Sequence, residues 1–347
     1  MKIPIRKKTF LKSIAFVFIS ASLVLASWDY ILAKRDPDFF GVYYATLDGK
    51  NMKLIVGDSY REMNHARVSP DKKWVTFTRF NKKAWNGLAT EGKSGYDTTE
   101  IMIVRLDGSE LQSLVPPRKG IVAANSYWTP DGKALLYISN DNPKKITQIN
   151  KIDLATRKIT TLRTPKNTWV LDPQQVGDLV VFPAVDSTAN KNVLWTMRPD
   201  GSQAKRFTNP DFSALSKRKK LKYRLGDFDP KISPDGTRIA FMRQLARDDW
   251  RIFVKDIASG EEKDLSRAKT IDAMPEWSSD SKLLVFWHIN KKELKKMGIY
   301  TIKVDGSGRK RIPLPRGYFY TMPAFFPGEG SNENTRIIFS AKKVPGL

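Results

Sequence analysis

Asp229-Pro230-Lys231-Ile232-Ser233-Pro234-Asp235-Gly236, running on into Arg238-Ile239-Ala240-Phe241, is the stretch from which the fold can be read. Its second half is a tight turn feeding an apolar strand. Proline at the second turn position fixes φ, the aspartate accepts nearby backbone N–H groups, and glycine takes the left-handed conformation. The unit recurs as Ser69-Pro70-Asp71-Lys72 before Trp74-Val75-Thr76-Phe77 and as Thr129-Pro130-Asp131-Gly132 before Ala134-Leu135-Leu136-Tyr137. A weaker copy, Ser278-Ser279-Asp280-Ser281, precedes Leu283-Leu284-Val285-Phe286. Two more keep the strand without the turn motif: Val176 to Phe182, and Phe326-Pro327 followed by Arg336-Ile337-Ile338-Phe339. Six copies mark a repeat architecture.

A second recurring unit is a hairpin. Ile101 to Leu106 meets Asp107-Gly108, Leu194 to Met197 meets Asp200-Gly201, and Ile299 to Ile302 meets Asp305-Gly306. Ile252 to Val254 meets Ser259-Gly260, and Ile149 to Leu162 turns at Ala155-Thr156. The sixth comes first in the chain, as Val42 to Leu47, Asp48-Gly49 and Met52 to Ile55. Asp-Gly between strand-like runs is a strong hairpin signal. Turn positions 48, 107, 155, 200, 259 and 305 lie 59, 48, 45, 59 and 46 residues apart, about one four-stranded blade each. The chain therefore opens on an outer hairpin and closes on an inner one, Met322 to Phe339. Either alone would leave a sheet edge unpaired. Pairing them predicts an all-β, six-bladed propeller of four-stranded antiparallel blades, closed by N-terminal outer strands on C-terminal inner strands.

Asp272-Ala273-Met274-Pro275-Glu276-Trp277-Ser278 and Asp229 to Gly236 resemble the repeat of TolB-type six-bladed propellers, and the resemblance covers roughly residues 40 to 343. It implies the fold, and little about activity, because the repeat serves many contexts. TolB itself carries an α/β domain before its propeller; here about a dozen residues separate the first apolar stretch from the first strand. The propeller of prolyl-oligopeptidase-like peptidases is a second resemblance, but it goes with a hydrolase domain for which 347 residues leave no room.

The first 35 residues read as a targeting segment. Lys2, Arg6, Lys7, Lys8 and Lys12 precede an apolar run from Ser13 to Ala26, and Val24-Leu25-Ala26 offers a signal-peptidase site. The apolar character resumes to Ala33, and the 21 residues from Ser13 would span about 30 Å of hydrocarbon as a helix. The expectation is a signal peptide or single membrane anchor over 1–35 and an exported propeller over 36–347, in the periplasm or on the outer face of the cytoplasmic membrane. Sixty Lys and Arg against 36 Asp and Glu give a formal charge of +24, which speaks to partners and steering. With no cysteine and only His65 and His288, thiol chemistry and His-rich metal sites are excluded. No Gly-rich phosphate loop, Gly-x-Ser-x-Gly elbow or His-Glu-x-x-His is present.

Two candidate sites follow from the expected architecture. With inner strands starting at the upper face, the insertions Asn81–Glu100 and Asn209–Phe228 fall there, and the short turns fall underneath. The upper loops are basic: Lys217, Arg218, Lys219, Lys220, Lys222 and Arg224 with Tyr223; Lys291, Lys292, Lys295 and Lys296; Lys144 and Lys145; Lys82 and Lys83 with Trp85 and Tyr96. Such a face suits an acidic envelope protein, an anionic polymer or a lipid headgroup, whereas export argues against nucleic acid. The second candidate is the channel mouth, where Asn64, His65, Asn125, Asp172, Asp227, Asp229, Asp272 and Glu276 are expected just before the inner strands. Their oxygens could hold Ca²⁺ or simply bond strand ends. A carbohydrate-active lyase or hydrolase on an acidic polysaccharide, using His65, is the enzymatic alternative. The absence of catalytic motifs favours a monomeric, non-enzymatic binding propeller with no cofactor.

Overall fold

The computed structural model describes residues 40–58, 61–80, 98–165, 168–186, 191–212, 225–267, 269–290 and 293–344. Its strands form six antiparallel blades of four. Blade II is β3 (Met63–Val68), β4 (Trp74–Phe80), β5 (Thr99–Arg105) and β6 (Gln112–Val115). Blade III is β7 (Ala123–Trp128), β8 (Ala134–Ser139), β9 (Gln148–Asp153) and β10 (Ile159–Thr161). Blade IV is β11 (Gln174–Val176), β12 (Leu179–Asp186), β13 (Lys191–Met197) and β14 (Lys205–Arg206). Blade V is β15 (Leu225–Ile232), β16 (Arg238–Ala246), β17 (Asp249–Asp256) and β18 (Glu262–Asp264). Blade VI is β19 (Ile271–Trp277), β20 (Leu283–Ile289), β21 (Gly298–Lys303) and β22 (Lys310–Arg311).

Blade I is stitched from both halves of the chain, as the order of the hairpins requires. The strands β23 (Tyr318–Phe325) and β24 (Arg336–Lys343) supply its inner half, and β1 (Phe40–Thr46) and β2 (Lys53–Asp58) its outer half. Seven residue pairs, from Phe40 opposite Lys342 to Thr46 opposite Arg336, join β1 to β24. The closure leaves neither half with a bare inner edge.

The turns form for the reasons their residues suggest. Ser69, Thr129, Ser233 and Ser278 each donate a hydroxyl hydrogen bond of 2.5–2.6 Å to the aspartate two residues on. Those aspartates accept the backbone N–H of Lys73, Lys133, Thr237 and Lys282. The Ser69 and Thr129 hydroxyls hold the Asp71 and Asp131 carboxyls below their ordinary range. Where the motif has lost glycine, Lys72 and Ser281 take the left-handed position at φ +60° and +57°.

Adjacent blades share apolar cores. Leu136 and Ile149 of blade III pack with Val180, Phe182 and Ala184 of blade IV, and Ala240 and Ile252 of blade V pack with Leu284 and Phe286 of blade VI. Tryptophans staple the inner wall: Trp128 Nε1 donates to the Arg67 carbonyl (3.0 Å) and Trp277 Nε1 to that of Lys231 (2.8 Å). Short parallel contacts, Lys191 with Leu225 and Trp250 with Ile271, bring the starts of the third strands β13 and β17 beside the starts of the next inner strands, β15 and β19. The inner strands therefore all begin at one rim, the upper one, and the turns lie on the lower rim. The bounds of both insertions are corrected: β5 already begins at Thr99 and β15 at Leu225, so Thr99, Glu100, Asp227 and Phe228 belong to strands.

Candidate functional site

Each inner strand carries the same irregularity. Its pairing with the second strand slips by one residue between Asn64 and Arg67, Ala124 and Tyr127, Phe228 and Lys231, Ala273 and Glu276, and Thr321 and Ala324. Blade IV does likewise between the Val170–Ala184 bridge and the Gln174–Val181 pair. Inside each slip sits a left-handed residue: His65, Asn125, Asp172, Asp229, Met274 and Met322, at φ between +33° and +57°. The next residue is proline in four blades (Pro173, Pro230, Pro275 and Pro323), because a bulge frees it from donating to the ladder.

This geometry corrects the placement of the expected mouth residues. Asn64, His65, Asn125, Asp229 and Glu276 lie within the inner strands, in the channel wall, and Asp172 lies between the Val170 bridge and β11. Pro230 and Pro275 read in sequence as the residues before a strand, whereas the bulge accommodates them inside one. Asn64 is buried opposite Thr78.

Across the axis the bulges assemble a buried polar cluster. Arg67 of blade II reaches Glu276 of blade VI at 3.2 Å, and the Tyr127 hydroxyl of blade III donates to the same carboxyl at 2.5–2.7 Å from the far side. Lys231 pairs with Asp229, and Asn125 Nδ2 donates to Asp172. The Tyr127 ring carries the Arg67 guanidinium at 4.7 Å on its face and the Lys231 ammonium at 5.2 Å. Arg67, Tyr127 and Lys231 were not among the residues singled out from the sequence. Their signal was present, since each stands two residues before a turn Ser or Thr, as Glu276 does.

Burial tunes these groups. It pushes the Asp172 carboxyl up to about 7, with help from Asp229 nearby. Burial also lifts Glu276 and Tyr127. It depresses the His65 imidazole to about 3, reinforced by Arg67, so His65 is neutral at pH 7. Asp229 Oδ2, Asn125 Oδ1 and Arg67 Nε meet no protein partner. Among the described residues no group of three or more His, Asp or Glu side chains is arranged to hold a metal. The cation beside Asp229 is the Lys231 ammonium.

Asp227 and Asp272 are not part of this cluster. Both are fully buried, and each is drawn toward the outer strands of its own blade. Asp227 accepts Arg243 at 2.6 and 3.0 Å, and Arg243 continues to Glu262 on β18. Burial raises the Asp227 carboxyl despite the arginine. Asp272 pairs with His288 (2.6 Å) and, through two 2.8 Å bonds, with Arg309. Burial works against its charge, and these partners still hold it below the ordinary range. His288 is thereby committed within its blade.

Of the basic upper-rim residues, Lys144, Lys145, Lys295 and Lys296 are described, and all four are exposed, in the β8–β9 and β20–β21 connections. Lys82, Lys83, Trp85, Tyr96, Lys217, Arg218, Lys219, Lys220, Lys222, Tyr223, Arg224, Lys291 and Lys292 lie outside the described residues, as does the apolar N-terminal stretch. Two clefts, of about 380 and 330 Å³, open between blades II and III and between IV and V. Both lie at the lower rim, away from the expected binding face, where neighbouring turns such as Asp71 and Asp131 diverge.

The sequence matches no protein-family model, and no curated protein matches it. Solved structures do match. TolB from Acinetobacter baumannii is 14% identical with a TM-score of 0.58, over 88% of this chain and 64% of that one, so the chain spans slightly less than two thirds of that TolB. A putative TolB from Agrobacterium tumefaciens is 12% identical at 0.60, over 87% and 98%. An oligogalacturonate lyase in complex with manganese is 13% identical at 0.51, over 85% and 80%. At these identities the likeness is one of fold. With its six four-stranded blades and stitched first blade, the chain has a TolB-like β-propeller fold.

Proposed function

We propose that this chain is an exported cell-envelope scaffold that binds an anionic partner at its upper rim, and that it is not an enzyme. The observation that carries this reading is how the charges are disposed. On the axis, Arg67 and Lys231 are buried and already bonded to Glu276 and Asp229. At the rim, Lys144, Lys145 and Lys295 stand exposed to solvent. Cations bound to internal carboxylates cannot also neutralise a polysaccharide, whereas rim cations meet a partner without rearrangement. The N-terminal basic and apolar stretch supports export to the periplasm or the outer face of the cytoplasmic membrane.

Capture of partners from solubilised envelopes tests this. The unaltered protein should retain an acidic partner at low salt and release it at high salt, and a Lys144→Glu, Lys145→Glu, Lys295→Glu variant should retain much less. Retention indifferent to salt would sink the electrostatic reading. The enzymatic alternative, a lyase or hydrolase on an acidic polysaccharide, predicts turnover of uronate polymers that His65→Ala abolishes.

A further inference from the structure

The left-handed bulge positions of three consecutive blades put three oxygen-bearing side chains at matching places in the channel wall: Asn125 of blade III, Asp172 of blade IV and Asp229 of blade V. Asn125 gives its Nδ2 to Asp172 Oδ1, and Asp229 takes the Lys231 ammonium on Oδ1. What these bonds leave over lies on the acceptor side. Asn125 and Asp229 are each only 6% exposed, yet Asn125 Oδ1 and Asp229 Oδ2 meet no protein partner. The second oxygen of Asp172 is not engaged by the Asn125 amide either.

The charges of the cluster are also out of balance. Its cations are Arg67 and Lys231, and its carboxyls are Glu276, Asp229 and Asp172. Arg67 is taken up by Glu276 and Lys231 by Asp229, so Asp172 is left with an amide for a partner. His65, which faces Arg67, Asp229 and Lys231, is neutral at pH 7, and burial keeps the Tyr127 phenol protonated. Neither offsets the surplus carboxyl. The surplus carboxyl is the reachable one: Asp172 keeps partial solvent exposure, as do His65 and Tyr127, whereas the other members are buried.

We propose that Asp172, Asp229 and Asn125 form a binding site for one primary ammonium group, carried by a small amine or by a lysine of a partner chain. The match is one of number and of charge. An ammonium head offers three N–H donors and one positive charge. The site offers an unengaged oxygen from each of its residues and one carboxylate without a cation. Hydrogen bonds between ionised groups are the strong ones, so the pairing favours an ammonium over a neutral donor. A calcium ion would want about six to eight oxygens and would bring a double charge beside Lys231. A proton on Asp172 competes with the ammonium, so acid excludes the ligand. The site is independent of the rim reading, since it takes a cation and lies in the channel wall.

Thermal melting of the full chain at pH 8 tests the proposal with methylammonium chloride. Tetramethylammonium chloride, which has the charge without the N–H donors, and calcium chloride serve as comparisons at equal ionic strength. Methylammonium should raise the midpoint saturably, because it binds the folded chain alone, and the other two salts should not. At pH 5, where Asp172 holds a proton, the apparent affinity should fall at least about tenfold. Asp172→Asn should abolish the shift at pH 8, while Asp141→Asn, at an exposed carboxyl bonded to Arg118, should keep it. Broadening of the methylammonium NMR signal makes the same comparison without unfolding. Lysine capped at both ends separates the sources: stabilisation by both probes assigns the ammonium to a partner's side chain, and by methylammonium alone to a free amine. Equal shifts with methylammonium and tetramethylammonium, a shift that survives Asp172→Asn, or neither shift nor broadening overturns the proposal. Stabilisation by calcium instead, lost in Asp172→Asn, overturns it in favour of a metal.

Discussion

Two arcs of the channel wall share one backbone and carry opposite chemistry. On blades II to V the left-handed bulge position holds His65, Asn125, Asp172 and Asp229; on blades VI and I it holds Met274 and Met322. Two residues further on the sequence reads Arg67, Tyr127, Gln174, Lys231 and Glu276, then Ala324. The methionines pack with Trp287 and Phe319 in a core that also takes in Phe228 and Trp250. The polar arc is held instead by pairwise bonds: Arg67 to Glu276 and Asn125 to Asp172 between blades, and Lys231 to Asp229 within blade V. A non-glycine residue in the left-handed region costs on the order of 1–3 kcal/mol unless its surroundings impose it. Imposed six times with six different neighbourhoods, the bulge belongs to the fold. What occupies it is set separately, blade by blade.

The largest expected effect comes from converting one position of the polar arc to apolar character. Lys231 is fully buried and bonded to Asp229. Lys231→Met should cost about 3–5 kcal/mol, because it strands a buried carboxyl. The double change Asp229→Leu with Lys231→Met should recover most of that loss, since both members of the pair go together. Urea unfolding measures both. A cost below about 1 kcal/mol for the single change would show that the arcs are interchangeable and that the ion pair holds nothing in place.

The blade count, the closure and the turn rim were legible because turns have local chemistry: Ser-Pro-Asp-Gly and Asp-Gly specify their own conformations. The bulges were not, because Pro230 and Pro275 argue locally against a strand and only the neighbouring ladder shows that a bulge absorbs them. Asp227 and Asp272 illustrate the same limit. They look equivalent to Asp229 in sequence, yet lie two residues ahead of the bulge and meet Arg243 and Arg309 instead. Charge partners 16 or 37 residues away leave no mark on a local pattern.

A smaller effect sharpens the comparison through pH. The Asp172 carboxyl is pushed from 3.8 up to about 7 by burial and by Asp229. The folded chain therefore holds this proton more tightly than the unfolded chain. That contribution is complete below pH 3.8 and is lost as pH rises through about 7. It amounts to at most about 4 kcal/mol. Asp172→Asn keeps the polar shape without the charge, so it should raise the thermal midpoint at pH 8 and change it little at pH 4. A variant that melts earlier at pH 8 would mean that the Asp172 charge is stabilising there, and the arc would then be balanced differently from the account above.

His65→Met should have the smallest effect at neutral pH, and it tests the equivalence of the arcs most directly. Met274 and Met322 already occupy the same left-handed bulge, so the backbone accepts this side chain at that position. Burial and Arg67 hold the imidazole at about 3, well below its ordinary 6.5. At pH 7 the substitution exchanges one neutral group for another, and the change in stability should stay within about 1 kcal/mol. Acid separates the two proteins. From pH 6.5 down to about 3, protonation of His65 favours the unfolded chain, so the unaltered protein loses stability that the variant keeps. Urea midpoints at pH 7 and pH 4 make the comparison. If the two proteins weaken in parallel, His65 takes up its proton without penalty, and the polar arc is open to water at that blade rather than sealed by its neighbours.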